Sequence, residues 1–185
     1  YELSGILRGI SGSDYSALRP IPVGSAFVLF DDAIVSLSTD LSQLNQRSLW
    51  RVGLASQDYS SSSFKQVETI LQGSSLFPLS PVQASAKRID GSIQIKFIRR
   101  SRSPYDIWDV NDVPLGEDIE AYEIDIFKAG SRIRTLKSNQ PVFQYPRNFE
   151  LEDFGQPQVT LNVKLYQMSA LLGRGFPAVQ SLSIM

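Results

Sequence analysis

The sequence contains neither cysteine nor histidine, and both absences narrow what the protein can do. Without cysteine there are no disulfides, no thiolate metal sites and no cysteine nucleophiles. Without histidine the chain lacks the commonest general base, the commonest transition-metal ligand and every Ser-His-Asp arrangement. The fold must therefore be held together by burial alone, and we expect no metal and no cofactor.

The sequence also lacks a strong net charge and a long apolar run. The formal net charge is −1 over 185 residues, which argues against a nucleic-acid partner because such domains are normally basic. No apolar stretch approaches the roughly 20 residues that span a bilayer, and no signal peptide is recognisable, so membrane insertion is not expected. The hydrophobic share of 42% is ordinary and predicts a real core.

Short runs of alternating apolar and polar residues dominate what is present. Those in the first third predict strands in a small N-terminal β domain over residues 1–78. They read ELSGIL, SAFVLF, AIVSLS, LWRVGL and KQVETIL. The one helical hint is STDLSQLNQ, where Ser38 or Thr39 would cap a turn from Asp40. Pro78 and Pro81 cannot both sit inside paired strands, so we place the domain boundary there.

The rest of the chain, residues 82–185, predicts an immunoglobulin-like β-sandwich, which makes the fold class all-β. The seven strands expected are Val82–Lys87, Ser92–Arg99, Ala121–Lys128, Ile133–Leu136, Val142–Tyr145, Val159–Met168 and Ala178–Ile184. Asp90-Gly91 predicts a two-residue hairpin, because both positions tolerate positive φ. Three rows should point inward and form the core between two sheets. They are Ile93, Ile95 and Phe97; Tyr122, Ile124 and Ile126; and Leu161, Val163 and Leu165.

The glycine-rich opening, YELSGILRGISGSD, has some features of a phosphate-binding loop. It lacks the lysine of G-x-x-x-x-G-K-[ST], and the following DYSALRPIPVG contains two prolines where a dinucleotide loop needs a helix. A strand that ends in a glycine-permitted turn is the better interpretation. The chain also opens on Tyr1 within a strand-like run, and the alternative interpretation of this opening is therefore the edge of a larger molecule.

Two resemblances follow from the order of these segments. The series SPVQASAKRIDGSIQIKF, AYEIDIF, VFQYP and VTLNVKLYQMSALLGRGFPA resembles a fibronectin type III domain. With the opening LRG stretch, the PLSPV junction and the GRGFPA ending, nearly the whole chain resembles the C-terminal region of the megatron baseplate proteins. These are host-specificity tail-tip proteins of siphophages and gene transfer agents.

The second resemblance implies a structural role at a phage-like tail tip or baseplate, with other tail proteins as partners. It also implies a place in the virion or particle tail after assembly in the cytoplasm. It allows a homo-oligomer, a trimer, in the parent assembly, and contact with a host-surface glycan or receptor. Any hydrolase activity would lie in upstream domains, so we expect no enzyme here.

The long connection RRSRSPYDIWDVNDVPLGEDIE holds most of the candidate contact residues, because loops of this length are usually functional or mobile. Tyr105, Trp108 and Asp109 are the candidates for a partner or glycan, since aromatics beside polar groups stack on sugars and anchor proteins. The alternative, which we favour, is that Trp108 folds back onto the sandwich. Arg174, between two glycines, either serves a turn or is presented at the sandwich tip.

Three functions remain open at this point. The first is a non-enzymatic structural and interaction component. The second is a carbohydrate-binding module that recognises a cell-surface polysaccharide through Tyr105, Trp108 and nearby carboxylates. The third, disfavoured, is a carboxylate enzyme, because Asp106, Asp109 and Asp112 share one loop without a surrounding pocket and match no calcium-loop spacing.

Overall fold

The computed structural model describes residues 4–10, 13–32, 34–35, 37–102 and 113–185. The chain divides into two compact units, which are described separately below. One unit is Ile21–Leu76, and the other joins Phe77–Met185 to the described part of Tyr1–Pro20. The elements in chain order are α1 (Asp14–Ala17), β1 (Arg47–Val52), β2 (Lys65–Ile70), β3 (Val82–Ile89), β4 (Ser92–Ile98), β5 (Tyr122–Lys128), β6 (Ser131–Ser138), β7 (Val142–Tyr145), α2 (Arg147–Phe154), β8 (Thr160–Ser169), β9 (Gly173–Arg174) and β10 (Ala178–Ser183).

The larger unit is a sandwich of two antiparallel sheets. One sheet has the order β10-β8-β5-β6, with the short β9 paired to β8, and the other has the order β3-β4-β7. On one side the sheets are linked by a parallel bridge between Ala86 and Ile184. This arrangement is a fibronectin type III-like sandwich, and the chain is all-β apart from two short α-helices and single 3₁₀ turns among the described residues.

The core of the sandwich consists of the three predicted inward rows. All nine side chains are buried, with Phe97 the most exposed of them at 6%. Phe143 and Tyr145 of β7 complete the layer. The Phe97 ring meets Tyr122 edge-on at a centroid distance of 4.9 Å and stacks on Phe143 at 5.6 Å. Burying a branched or aromatic side chain contributes about 1.5–3 kcal/mol, so this layer is the main source of stability.

The predicted strands of this unit match the observed ones to within a few residues, and the predicted hairpin is present. Asp90 and Gly91 link β3 to β4 with φ values of 47° and 81°. These values are those of a type I′ turn, whose twist matches that of the flanking strands. The turn sets the register that points Ile93 and Ile95 into the core.

Helix α2 was not predicted from the sequence. It follows Pro146, which supplies an extended N-cap, and ends at Gly155, whose φ of 79° lets its N–H bond the Leu151 carbonyl. The helix brings Glu150 into the sandwich end, where the carboxylate is fully buried and accepts two 2.9 Å hydrogen bonds from the Arg88 guanidinium. The helix thus closes one end of the sandwich with an ion pair.

The unit Ile21–Leu76 contains much less regular structure than predicted. Among its described residues there is one sheet, the antiparallel pair β1 and β2. The SAFVLF segment, 25–30, forms no strand, and neither do the described residues of AIVSLS. An alternating pattern becomes a strand only where a neighbouring strand accepts its hydrogen bonds, and the described residues provide no neighbour here. The predicted small β domain is therefore a two-stranded sheet with extended segments.

The helical hint in this unit is a single 3₁₀ turn, Leu41–Gln43. Its cap is Asp40 and not Ser38 or Thr39, because the Asp40 carboxylate accepts from the Ser42 N–H while the Gln43 side chain accepts from the Asp40 N–H. These reciprocal bonds form a capping box. The turn is local and leaves Leu41 more than half exposed.

No described residue of Ile21–Leu76 is buried. Phe27, Val28, Leu29 and Phe30 are 66–86% exposed, and both strands of the hairpin expose apolar side chains as well. An isolated two-stranded sheet is marginal in water, since three strands or a packed face are normally needed for independent stability. The described residues of this unit therefore form no core of their own.

The domain bounds at the N-terminus also differ from the prediction. The sequence patterns assigned Tyr1–Pro20 to the small N-terminal domain, residues 1–78. In the structure, the described part of this segment belongs to the same compact unit as the sandwich. Asp14 accepts hydrogen bonds from the Arg100 guanidinium at 2.8 and 3.2 Å, and the Tyr15 ring stacks on Phe176 at 4.5 Å. These contacts between positions far apart in the chain explain why local patterns placed the segment elsewhere.

Candidate functional site

The outer face of the four-stranded sheet carries an organised cluster of charged and polar side chains. It is formed by residues that alternate with the core rows along each strand, as the register requires. We define this outer face as Glu123, Asp125 and Phe127 of β5, Arg132, Thr135 and Lys137 of β6, Asn162, Lys164 and Tyr166 of β8, Arg174 of β9, and Val179 and Ser181 of β10.

Arg174 covers the acidic half of the outer face. Its Nε donates to Glu123 at 2.7 Å, and its two terminal nitrogens donate to the Asp125 carboxylate at 2.6 and 3.0 Å. The guanidinium carbon lies 4.5 Å from the Tyr166 ring centroid. The Asp125 side chain is only 3% exposed, so a charged group on an outward position is nearly buried beneath an arginine.

The charges in this half of the face control one another's protonation. Burial alone would raise the pKa of Asp125, but hydrogen bonds from Arg174 and Thr135 hold it below its ordinary value. The same balance between burial and the Arg174 and Lys137 hydrogen bonds lowers the pKa of Glu123. The hydrogen bonds to both acids raise the pKa of Arg174. At neutral pH the cluster is fully ionised and paired.

The other half of the outer face is an open groove of about 450 Å³ across β5, β8 and β10. Phe127, Lys164, Val179 and Ser181 line it, together with Asn162. The Lys164 ammonium lies 5.1 Å from the Phe127 ring centroid. The outer face thus combines a closed ionic cluster with an adjacent concave surface.

A second polar region lies at the base of the long connection between β4 and β5. The Arg102 guanidinium donates to Glu117 at 2.7 and 3.1 Å, and this bond raises the pKa of Arg102. The Gln167 side chain accepts from the Arg100 N–H at 2.6 Å and donates to the Arg100 carbonyl at 2.7 Å. The Gln167 contacts fix the first end of the connection to β8, and the Arg102–Glu117 pair joins the two ends of the connection to each other.

Of the four candidate contact residues, Arg174 is the one that the structure describes. Tyr105, Trp108 and Asp109 lie outside the described residues, as do Asp106 and Asp112. Arg174 serves neither as a free tip residue nor only as a turn residue, because both of its acidic partners lie on β5.

The acidic partners of Arg174 were not identified from the sequence. The alternation in AYEIDIF indicates that Glu123 and Asp125 point away from the core, which is the only signal available. Their pairing with an arginine about 50 positions later depends on β9 returning beside β8. Strand neighbours of this kind cannot be read from a single strand's pattern.

In the described part of the chain, no group of three or more acidic side chains could hold a metal ion. No helix among these residues is long and apolar enough to cross a lipid bilayer.

Comparisons with known proteins do not assign the chain to a family. No family model matches the chain, and no curated protein is significantly similar to it. Among solved structures, the crystal structure of domains d3–d4 of the rat CD45 extracellular region is similar, with a TM-score of 0.41 and 13% identity, covering 89% of this chain and 78% of that one. The fold class rests on the strand order itself.

Proposed function

We propose that this protein is a non-enzymatic structural and interaction component of a phage-like tail tip or gene transfer agent baseplate. The observation that carries the proposal is the contrast between a well-packed sandwich and a unit, Ile21–Leu76, that buries none of its described side chains. Large contiguous apolar surfaces on folded proteins mark places where other proteins pack. The sequence resemblance to megatron baseplate proteins supplies the kind of partner, namely other tail proteins.

The mechanism is rigid presentation by the sandwich. Its buried rows and the ion pairs at Glu150 and Asp125 hold the sheets in one arrangement, and the connecting segments leave from fixed positions. The exposed segment around Phe27 and Phe30 would then pack against a neighbouring tail protein. Such a role requires burial on assembly and no catalytic step.

Particle incorporation tests the proposal. Phage-like particles from the organism that encodes the chain are purified and labelled with an antibody against the sandwich, and we expect label at the distal tail. Phe27→Ser combined with Phe30→Ser should reduce incorporation about tenfold or more, because an interface loses two large apolar side chains. Val159→Ser, at an exposed apolar residue of the sandwich outside the groove, is the control and should leave incorporation unchanged.

Absence of the chain from purified particles, or label on the capsid alone, contradicts the proposal.

The alternative of a polysaccharide-binding module built on Tyr105 and Trp108 stays a prediction of the sequence. Titration of cell-surface polysaccharide against the full chain and its Trp108→Ala variant tests it, and unchanged binding in that variant removes the module.

A further inference from the structure

The groove on the outer face has the composition of a ligand site. Phe127 and Val179 are its apolar side chains, and Lys164, Asn162 and Ser181 place polar groups between them. Strand register brings them together, since Asn162 lies between Phe127 and Ser181 while Lys164 lies beside Val179. A volume of about 450 Å³ falls within the usual range of roughly 300–1,000 Å³ for small-ligand sites.

The Lys164 ammonium is available to an external anion. Asp125 is its direct neighbour in the register, but the Asp125 carboxylate is occupied by Arg174 and Thr135. Among the described residues Lys164 forms no salt bridge, and its one described side-chain contact is with the Phe127 ring. The groove therefore contains a lysine whose charge is not neutralised by the protein.

The charge of the outer face favours an anion as well. Four cations and two carboxylates lie on this face, an excess of two positive charges on a chain whose formal net charge is −1. The cations are Arg132, Lys137, Lys164 and Arg174, and the carboxylates are Glu123 and Asp125. Positive charge concentrated on one face raises the local concentration of negatively charged ligands.

The position of the groove argues for a saccharide and against an acidic peptide. The groove extends over three strands: β5 and β8 are interior strands with hydrogen-bonded neighbours on both sides, and β10 is an edge strand. The main-chain groups of β5 and β8 are used in the sheet, and a peptide added to β10 as an extra strand would lie beside the sheet and not over Phe127 and Lys164. Recognition must come from side chains, and an aromatic ring, an amide, a hydroxyl and an ammonium match a sugar ring with hydroxyls and a carboxylate.

We propose that the groove binds a saccharide that carries a carboxylate, such as a uronic acid. Lys164 pairs with the carboxylate, Asn162 and Ser181 hydrogen-bond to ring hydroxyls, and Phe127 packs against the ring. The inference goes beyond the assembly role proposed above and does not depend on it. It also differs from the Trp108 module, because none of its residues lies in the long connection.

Isothermal titration of the full chain tests the site with three probes. They are a short oligogalacturonate, a neutral galactose oligomer of the same length, and polyglutamate. We expect binding of oligogalacturonate that is about tenfold or more tighter than that of the neutral oligomer, because a charge-assisted hydrogen bond is lost with the carboxylate. Polyglutamate should bind no better than the neutral oligomer.

Variants then locate the site. Lys164→Met should weaken oligogalacturonate binding at least about tenfold, and Phe127→Leu should weaken it to a smaller extent. Lys137→Met is the matched control, since Lys137 lies on the same face but 3.2 Å from Glu123 and outside the groove. Circular dichroism and the Tm establish that each variant is folded, and Lys164→Gln serves if Lys164→Met is not.

Four results of these titrations overturn the proposal, and a fifth comes from the Trp108→Ala variant. The four are no binding of oligogalacturonate at millimolar concentration, equal binding of the neutral oligomer, equal binding of polyglutamate, or the same loss in Lys137→Met as in Lys164→Met. Binding that is lost in Trp108→Ala and retained in Lys164→Met assigns the ligand to the long connection and overturns the groove as its site. A failure here leaves the particle-incorporation test of the assembly role unaffected.

Discussion

The two units of this chain carry similar apolar alternation and reach different outcomes. In the sandwich, rows such as Ile93-Ile95-Phe97 face other rows and are almost completely buried. In Ile21–Leu76, runs such as SAFVLF face no neighbour within the described residues and stay exposed. The difference teaches that alternation specifies a face, while burial depends on whether the topology supplies an opposing face.

Hydrogen exchange should give the largest contrast between the units. Amides of β5 and β8, which lie inside a four-stranded sheet over a core, should exchange only through near-global unfolding. Amides of β1 and β2 should be protected at least about a hundredfold less, because no residue of that two-stranded sheet is buried. Mass-spectrometric exchange on the full chain measures both, and equal protection would contradict the distinction.

Truncation of an apolar side chain should lower the free energy of unfolding more in the sandwich than in Ile21–Leu76. Ile124→Ala removes a side chain with 0% exposure and should lower the free energy of unfolding by about 2–5 kcal/mol. Leu49→Ala, at 60% exposure, should change it by no more than about 0.5 kcal/mol. Urea denaturation of the full chain, followed by the circular dichroism of its β-strands, measures both changes. A comparable cost at Leu49 would mean that the smaller unit is packed after all.

Substitution of Glu150 measures how much its buried ion pair with Arg88 contributes to the stability of the sandwich. Glu150→Gln weakens the charge-assisted bonds to Arg88 and should cost about 1.5–3 kcal/mol in unfolding free energy. Glu152→Gln is the control, because Glu152 is 68% exposed where it pairs with Arg134 and should cost about 0.5 kcal/mol or less. Equal effects would mean that helix α2 is held by packing alone.

The ionic cluster on the outer face should show the smallest effect, together with a pH dependence of defined sign. In the wild type the pKa of Asp125 is lowered, so its contribution is present at neutral pH and is lost as the pH falls through the folded-state value. Arg174→Met removes the main partner, and burial then favours the protonated acid. We expect a loss of about 1–3 kcal/mol at pH 7.

The loss in unfolding free energy caused by Arg174→Met should become smaller as the pH is lowered toward 3, because protonated carboxyl groups carry no charge to pair with Arg174. Unfolding midpoints in urea at a series of pH values measure the trend. Lys137→Met, whose ammonium is largely exposed, should shift the midpoints much less. A deficit for Arg174→Met that is independent of pH would show that Arg174 acts through packing on Tyr166 and not through charge.

Most of the sandwich could be predicted from the sequence. Period-two alternation identified all nine buried positions of the three rows, and Asp90-Gly91 identified its turn, because these signals are local. Helix α2 was missed because RNFELEDF is only eight residues long and has no side-chain cap. Pro146 before it and Gly155 after it were the available signals for its two ends.

The candidate site was much less predictable. Arg174 was noticed for its flanking glycines, but its partners Glu123 and Asp125 depend on which strands become neighbours. The groove residues appear in the sequence as ordinary outward positions of three separate strands. Side chains brought together by sheet order leave no local pattern, so only the three-dimensional arrangement reveals them.

The parallel bridge between Ala86 and Ile184 has a mechanical consequence. The Met185 N–H bonds the Ala86 carbonyl, and the Arg88 N–H bonds the Met185 carbonyl. A force that pulls Phe77 and Met185 apart loads these two bonds simultaneously in shear and does not peel them one after the other. A sandwich tethered at those two positions should therefore resist tension better than its modest number of bridging bonds suggests.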